Sequence, residues 1–134
     1  MTAPLIISIS GLRGIVGKSL RPDVACEFAA AFGIFLKKQN QQDTGRELKI
    51  CVGRDSRPSG PMIQAAVVSG LTSVGVNVIE LGIVTTPGAG IMTTELNCSG
   101  GIVVTASHNP VEYNGIKTLL DNGLAPSKDK AEQI

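Results

Sequence analysis

A run of branched apolar residues that ends abruptly in a polar turn constrains the fold of this chain more than any other segment. Residues 100–104 have the sequence GGIVV, and residues 105–110 have the sequence TASHNP. The unbroken apolar run is typical of a strand that is covered on both faces of a sheet. Pro110 fixes its own φ and disfavours helical backbone at Asn109, so the chain turns there. A serine and the only histidine of the chain therefore follow the carboxyl end of a buried strand.

Strand and helix patterns alternate along the chain, as in α/β folds. Turn signals and apolar runs predict five strands, at 5–9, 48–52, 76–81, 102–105 and 115–120, with a Gly-rich loop at 10–17 and a polar connection at 39–45. Helices are predicted to begin near Pro22, after Ser59 as N-cap, and at Thr86, the last ending near Glu95. The link before the fifth strand is too short for a crossover, so that strand should be antiparallel to the fourth. The predicted fold class is a three-layer α/β/α sandwich with a mixed, mostly parallel sheet.

Composition excludes several classes of function. The 134 residues are enough for one domain, and 43% hydrophobic against 17% charged residues favours a folded protein. The net charge of +1 comes without a basic stripe, so we expect no nucleic-acid partner. No apolar run approaches the roughly 20 residues of a membrane span, so we expect no membrane partner. The three cysteines lack metal-type spacing, and together with the absence of a signal peptide pattern they favour a reducing, cytoplasmic location.

Three polar loops follow predicted strands and carry arginine, glycine or serine. The first contains Arg13, the second Arg54 and Arg57, and the third Ser107. If their strands are parallel, the loops converge on the carboxyl edge of the sheet, where α/β folds bind ligands. Because arginine presents a planar, permanent cation, this edge is suited to phosphate. Two other interpretations stay open: the glycines of the first loop could serve only a mobile turn, and Arg54 with the adjacent aspartate could form an ion pair that pins its turn.

A serine beside a histidine also raises the question of a hydrolase triad. A triad needs the imidazole to reach the serine hydroxyl while a carboxylate orients its other nitrogen. Neighbouring residues that leave a strand tend to point apart, and no Gly-x-Ser-x-Gly elbow is present. Phosphoryl transfer suits the residues better, because it requires a nucleophile and cations more than an oriented imidazole.

Residues 105–110, TASHNP, followed by YNGIK at 113–117, closely resemble the phosphoserine loop of the α-D-phosphohexomutases. That family includes phosphoglucomutase, phosphomannomutase and phosphoglucosamine mutase. The Arg13-Gly14 pair and GRDSR at 53–57 are similar to family segments too, although Leu12 stands where many members have another residue. The resemblance spans nearly the whole chain. It implies that 1–134 is the N-terminal phosphoserine-loop domain of a larger multidomain mutase, which interconverts hexose 1-phosphate and hexose 6-phosphate through a phosphoserine and a bisphosphate intermediate.

The resemblance also implies roles for individual residues. Ser107 would hold the phosphoryl group and contribute one metal ligand, and Lys117 would act as general base or counter-charge. His108 would orient the loop or donate to substrate, ranking below Lys117 as proton carrier. Arg13 would act in catalysis, and phosphate binding is expected from Arg13, Arg54 and Asn109.

The cofactors implied by the resemblance are Mg²⁺, bound through the phosphoserine, and hexose 1,6-bisphosphate as activator and intermediate. The remaining magnesium ligands in the family come from an aspartate loop that this sequence does not contain, so the isolated chain is expected to fold but not to turn over substrate. Its partners would be a phosphosugar and the other domains of the same polypeptide. Two alternatives are a stand-alone phosphate- or nucleotide-binding α/β module without covalent catalysis and a catalytically dead interaction domain.

Overall fold

The computed structural model describes residues 4–8, 11–40 and 47–134. Within those ranges the strands are β1 (Ile6–Ser8), β2 (Gly11–Ile15), β3 (Lys49–Arg54), β4 (Asn77–Ile83), β5 (Gly100–Val104) and β6 (Tyr113–Leu120). The helices are α1 (Pro22–Gln39), α2 (Gly60–Ser73), α3 (Thr86–Glu95) and α4 (Lys128–Gln133). The predicted third helix coincides with α3. The end of the first predicted strand at Ile9, the start of the Gly-rich loop at Ser10 and most of the polar connection at 39–45 lie outside the described residues.

The strands form one sheet in the order β1-β2-β6-β5-β3-β4. β3 is parallel to β4 and to β5, whereas β5–β6, β6–β2 and β2–β1 are antiparallel. The α/β fold with a mixed sheet is confirmed, and so is the antiparallel last strand. The balance of the sheet differs from the expectation of mostly parallel pairing. Among the described strands, three of the five neighbouring pairs are antiparallel. The difference arises because β2, a strand that the sequence did not predict, is antiparallel to both of its neighbours, β6 and β1.

That additional strand lies inside the segment for which the sequence predicts a Gly-rich loop. β2 pairs with β6 from Gly11 opposite Lys117 to Ile15 opposite Tyr113. Gly11 has a φ of +129°, and a Cβ at this position would overlap the carbonyl oxygen of Ile116. The close approach of the two backbones therefore requires glycine. The same glycines interrupt the alternation of side chains by which a strand is recognised in a sequence.

Helices cover both faces of the sheet. Successive residues of β5 point to opposite faces, so Ile102 and Val104 share a core with α1 and α2, while Val103 packs with Ala89 of α3. The fully buried side chains of the larger core are mainly aliphatic: Leu20, Ile50, Val52, Ile63, Val67, Leu71, Ile102, Val104 and Ile116, with Phe32. The predicted three layers are thus confirmed. No helix in the described ranges is long and apolar enough to cross a membrane.

The cysteines lie away from the polar edge of the sheet. Cys51 and Cys98 are buried, and Cys26 is half-buried on α1. Burial, helped by the neighbouring Cys51, raises the pKa of the Cys98 thiol to about 11. Because the thiolate is the reactive form, a raised pKa makes this thiol unreactive near neutral pH. Cys51 and Cys98 thus belong to the buried interior of the protein.

Candidate active site

The polar segments that follow β3 and β5 meet at one edge of the sheet. β3 and β5 are parallel neighbours, and the Asp55 amide donates to the Val104 carbonyl at 3.0 Å. The predicted convergence of the second and third loops is therefore confirmed. The first loop does not join them in the same way. β1 is antiparallel to β2, so the carboxyl end of β1 points to the opposite edge of the sheet. Arg13 reaches the site on β2, where it lies opposite Gly115.

Ser107 and Lys117 are in direct contact. Ser107 is exposed in the turn after β5, and Lys117 Nζ donates a hydrogen bond to Ser107 Oγ at 2.8 Å. Lys117 lies in the middle of β6, opposite Val103 on one side and Gly11 on the other. The glycine leaves space on that side of the lysine. A cation within hydrogen-bond distance of a hydroxyl has the geometry required of a proton carrier or of a counter-charge for a phosphoryl group.

The backbone of Ser107 is itself unusual. Its φ of +54° lies in the left-handed region, where a residue with a Cβ is strained by about 1 kcal/mol or more. Its amide donates to Thr105 Oγ1 at 3.1 Å. Strained backbone at a polar, exposed serine is typical of functional turns, because the surrounding structure must hold it.

Arg13 supplies a second cation on the same face of the sheet. Residues that lie opposite each other in antiparallel strands share a face, so Arg13 and Lys117 are diagonal neighbours across β2 and β6. Arg13 Nη1 donates to Asn109 Oδ1 at 2.6 Å, which joins β2 to the turn. The crevice between Arg13, Ser107 and Lys117 has a volume of about 10 Å³. It holds roughly one water molecule and no sugar.

A larger cleft of about 510 Å³ lies on the other side of the turn. This cleft is wide open to solvent and is not an enclosed pocket. Its walls are polar and apolar in about equal measure and come from the loops after β3 and β5: Asp55, Ser56, Arg57, Pro58, Ser107, Asn109 and Val111. Ser107 thus lies between a cationic crevice and a cleft that is open to a larger ligand.

The aspartate of the second loop does not form an ion pair with Arg54, which was one of the interpretations that the sequence left open. Asp55 Oδ2 accepts from Arg57 Nε at 3.2 Å, whereas Arg54 Nη1 contacts only the Asp55 carbonyl at 3.3 Å. The interpretation of Arg54 and Asp55 as an ion pair is therefore wrong. The turn directs the Asp55 carboxylate towards Arg57, two positions later. Arg54 is half-buried at the end of β3 beside Gly60, and its role in phosphate binding stays a prediction.

His108 is exposed beside Ser107 in the turn. The group that contacts the Ser107 hydroxyl is Lys117, and the structure describes no contact between that hydroxyl and the imidazole. This geometry agrees with the prediction that Ser107 and His108 do not form a hydrolase triad. The proposed roles of His108, like those of Ser107, Lys117, Arg13 and Asn109, stay predictions.

The described residues do not form a complete site for the magnesium ion that the resemblance implies. Within residues 4–8, 11–40 and 47–134, no three His, Cys, Asp or Glu side chains converge in a way that could hold a metal ion. Mg²⁺ prefers about six oxygen ligands, and the Ser107 side chain would offer one of them through a phosphate. The residues that the structure describes therefore do not fit a complete magnesium site.

Two other features were not identified from the sequence. Ser59 is the N-cap residue of α2 as predicted, but its Oγ accepts from Asn114 Nδ2 at 2.8 Å and does not cap the helix. Asn114 is completely buried, and its Oδ1 accepts from the Gly115 amide. The signal that could have identified Asn114 is a polar residue inside an apolar strand.

Arg57 makes the largest set of contacts with the turn, although the sequence placed it only as one of two arginines in a loop.

Comparison with known proteins gives a consistent picture. The family described as phosphoglucomutase/phosphomannomutase, alpha/beta/alpha domain I, matches residues 5–134. A phosphoglucomutase/phosphomannomutase of Thermococcus kodakarensis is 45% identical over 120 residues, which cover 90% of this chain and 25% of that protein. A phosphoglucosamine mutase of Shouchella clausii is 40% identical over 124 residues, or 92% of this chain and 27% of that protein.

Solved structures agree with these matches. A phosphoglucomutase/phosphomannomutase family protein from Burkholderia thailandensis superposes with a TM-score of 0.77 at 33% identity, over 96% of this chain and 29% of that one. The chain thus spans about a quarter of the length of the curated relatives it matches.

Proposed function

Because this chain belongs to the phosphoglucomutase/phosphomannomutase family as its α/β/α domain I, we propose that it carries the phosphorylated serine of a phosphohexomutase. The full protein would interconvert hexose 1-phosphate and hexose 6-phosphate. The observation that carries the proposal is the 2.8 Å contact between Lys117 Nζ and Ser107 Oγ, on the turn that resembles the phosphoserine loop of the family.

In the proposed reaction, the phosphoryl group of phosphorylated Ser107 moves to a free hydroxyl oxygen of the bound hexose monophosphate. The bond between phosphorus and Ser107 Oγ breaks, and a bond between phosphorus and the sugar oxygen forms. The sugar hydroxyl loses a proton to the surrounding water, and Ser107 Oγ gains one. Lys117 is the donor closest to that oxygen, so it would supply this proton and take one back in the return step. The hexose bisphosphate then returns its other phosphoryl group to Ser107.

Arg13 would act as a fixed cation in this reaction. Charge spreads over the oxygens of a phosphoryl group during transfer, and a nearby guanidinium stabilises it. Arg13 is held by Asn109 on the face of the sheet that carries Lys117. The crevice itself is too small for a hexose, so the sugar would enter from the open cleft of about 510 Å³.

The rest of the proposed reaction depends on groups outside this chain. Among the described residues, the site does not have a complete set of magnesium ligands. We therefore propose that these ligands, and the residues that select the sugar, come from other domains of the same polypeptide. Supporting this, the curated relatives are about four times as long as the matched region. A cytoplasmic location belongs to the same proposal, because phosphosugar metabolism takes place there.

The proposal is tested by measuring turnover of hexose 1-phosphate in the full-length protein that contains this chain. The assay contains Mg²⁺ and a trace of hexose 1,6-bisphosphate, and it uses glucose, mannose and glucosamine phosphates in turn. We expect hexose 6-phosphate from at least one of them, and none from the 134-residue chain alone. No product from any sugar, with the protein folded, would favour a phosphate-binding module without covalent catalysis. Turnover by the isolated chain would contradict the need for further domains.

A further inference from the structure

A single guanidinium binds most of the turn that contains Ser107. Arg57 Nη2 donates to the carbonyl oxygens of Ser107 and Asn109, each at 2.7 Å. Its Nη1 donates to the carbonyl oxygens of Pro110 at 2.7 Å and Tyr113 at 3.1 Å. Four carbonyls spread over seven residues thus converge on one side chain. Without a cation between them, these oxygens would repel one another, so the shape of the turn depends on Arg57.

Arg57 is held in place from its other side. Its Nε donates to Asp55 Oδ2 at 3.2 Å, and Asp55 Oδ1 accepts from the Arg57 amide at 3.1 Å. Asp55 Oδ2 also accepts from Thr105 Oγ1 at 2.7 Å, which ties the carboxylate to the end of β5. Only 11% of the Arg57 side chain is exposed. The guanidinium is therefore fixed between the ends of two parallel strands and the turn.

These contacts leave Arg57 no capacity to bind a phosphate. A guanidinium has five N–H donors, and the five contacts to the turn and to Asp55 occupy them all. Arg13 differs, because among the described residues its guanidinium has one side-chain acceptor, Asn109. The two arginines at this edge of the sheet are thus suited to different tasks.

We propose that Arg57 is a positioning residue, which holds residues 107–113 so that Ser107 Oγ stays within reach of Lys117 Nζ. The inference rests on the proposed function, since it concerns the serine that would be phosphorylated. Ser107 has strained, left-handed backbone, and its carbonyl is one of the four that Arg57 binds. The four contacts of Arg57 with the carbonyl oxygens of the turn form a clamp. Loss of this clamp relaxes Ser107 towards ordinary φ values and moves its hydroxyl. A displacement of about 1 Å at a reacting group costs on the order of 100-fold in rate.

The test uses the full-length protein with Arg57→Lys and Arg57→Ala. The first readout is hydrogen exchange at the Asn109 and Tyr113 amides, which donate to the carbonyls of Ala106 and Pro110 within the turn. We expect exchange at these two amides to accelerate at least about 10-fold in both variants, with core amides of β5 unchanged. The second readout is the rate of phosphoryl loading on Ser107 from hexose 1,6-bisphosphate. We expect it to fall about 100-fold, with a smaller change in KM.

Arg21→Lys is the matched control, because Arg21 is an exposed arginine that contacts Asp23 and the Lys18 carbonyl. It should leave both readouts within about twofold of the wild type. Methylguanidinium provides a further test of the clamp. Added at millimolar concentration to Arg57→Ala, it should restore slow exchange and part of the loading rate, whereas methylammonium should not. This rescue separates a missing guanidinium from a general loss of stability.

Unchanged exchange at Asn109 and Tyr113 in both variants overturns the proposal, whatever happens to activity. Accelerated exchange throughout β5 in both variants, without rescue by methylguanidinium, also overturns it, because Arg57 then stabilises the fold and not the turn specifically. If the wild-type protein takes no label on Ser107, the proposed function fails, and the exchange data still decide whether the clamp exists.

Discussion

Lys117→Met is expected to lower kcat/KM of the full-length protein for hexose phosphate interconversion by about 10²- to 10³-fold. Lys117 Nζ is 2.8 Å from Ser107 Oγ and would deliver the proton that the departing serine oxygen needs. Methionine has a similar length but offers neither a proton nor a charge. Since Lys117 is only partly buried, the variant should fold normally. Turnover and the thermal unfolding midpoint are measured on the same preparation.

Lys117→Arg separates the two roles open to this lysine. Arginine keeps the positive charge but does not give up a proton near neutral pH. If proton transfer dominates, Lys117→Arg is as slow as Lys117→Met, and if counter-charge dominates, it retains much of the activity. Lys37→Met, an exposed lysine in the last turn of α1, is the control and should behave like the wild type. Activity of Lys117→Met within about threefold of the wild type would contradict the role of this lysine altogether.

Gly11→Ala is expected to destabilise the 134-residue chain by roughly 3 kcal/mol or more. The added Cβ would overlap the Ile116 carbonyl oxygen, and alanine would also have to adopt a φ of +129°. The overlap involves backbone on both strands, so no side chain can move aside to relieve it. β2 must then shift away from β6, which separates Arg13 from Lys117. Urea unfolding followed by circular dichroism measures the loss.

Gly17→Ala isolates the backbone part of this effect. Gly17 also has a positive φ, of +83°, but nothing lies within 4 Å of the position a Cβ would take. Its substitution should therefore cost only about 1 kcal/mol, from the left-handed conformation alone. Equal losses for Gly11→Ala and Gly17→Ala would mean that β2 and β6 relax without cost, and that glycine is not needed for their approach.

The fold was predictable where apolar side chains carry the pattern. β5 and α3 were located because branched residues, proline and polar turns mark their ends, and the antiparallel β6 followed from the length of its connection. β2 was not predictable in this way. β2 can form because glycine permits close contact between its backbone and that of β6. In the sequence alone, glycines at positions 11 and 14 are typical of a loop.

The sequence could predict that Ser107 and Lys117 belong to one site, but it could not predict the contacts that hold the turn in place. The resemblance to the phosphoserine loop assigned Ser107 and Lys117 to one site, and the structure brings the two side chains into contact. The task of Arg57 depends on four carbonyl groups, which every residue possesses, so no residue pattern marks it. The pairing of Asp55 with Arg57 instead of Arg54 likewise depends on the shape of a turn that residue types do not specify.

Transfer of labelled phosphate from hexose 1,6-bisphosphate to the full-length protein, in the presence of Mg²⁺, tests the central claim most directly. We predict one labelled residue, Ser107, with the label lost in Ser107→Ala and chased into hexose phosphate when unlabelled substrate is added. A folded protein that takes no label, or one that keeps its label in Ser107→Ala, would contradict the assignment of Ser107 as the phosphorylated residue.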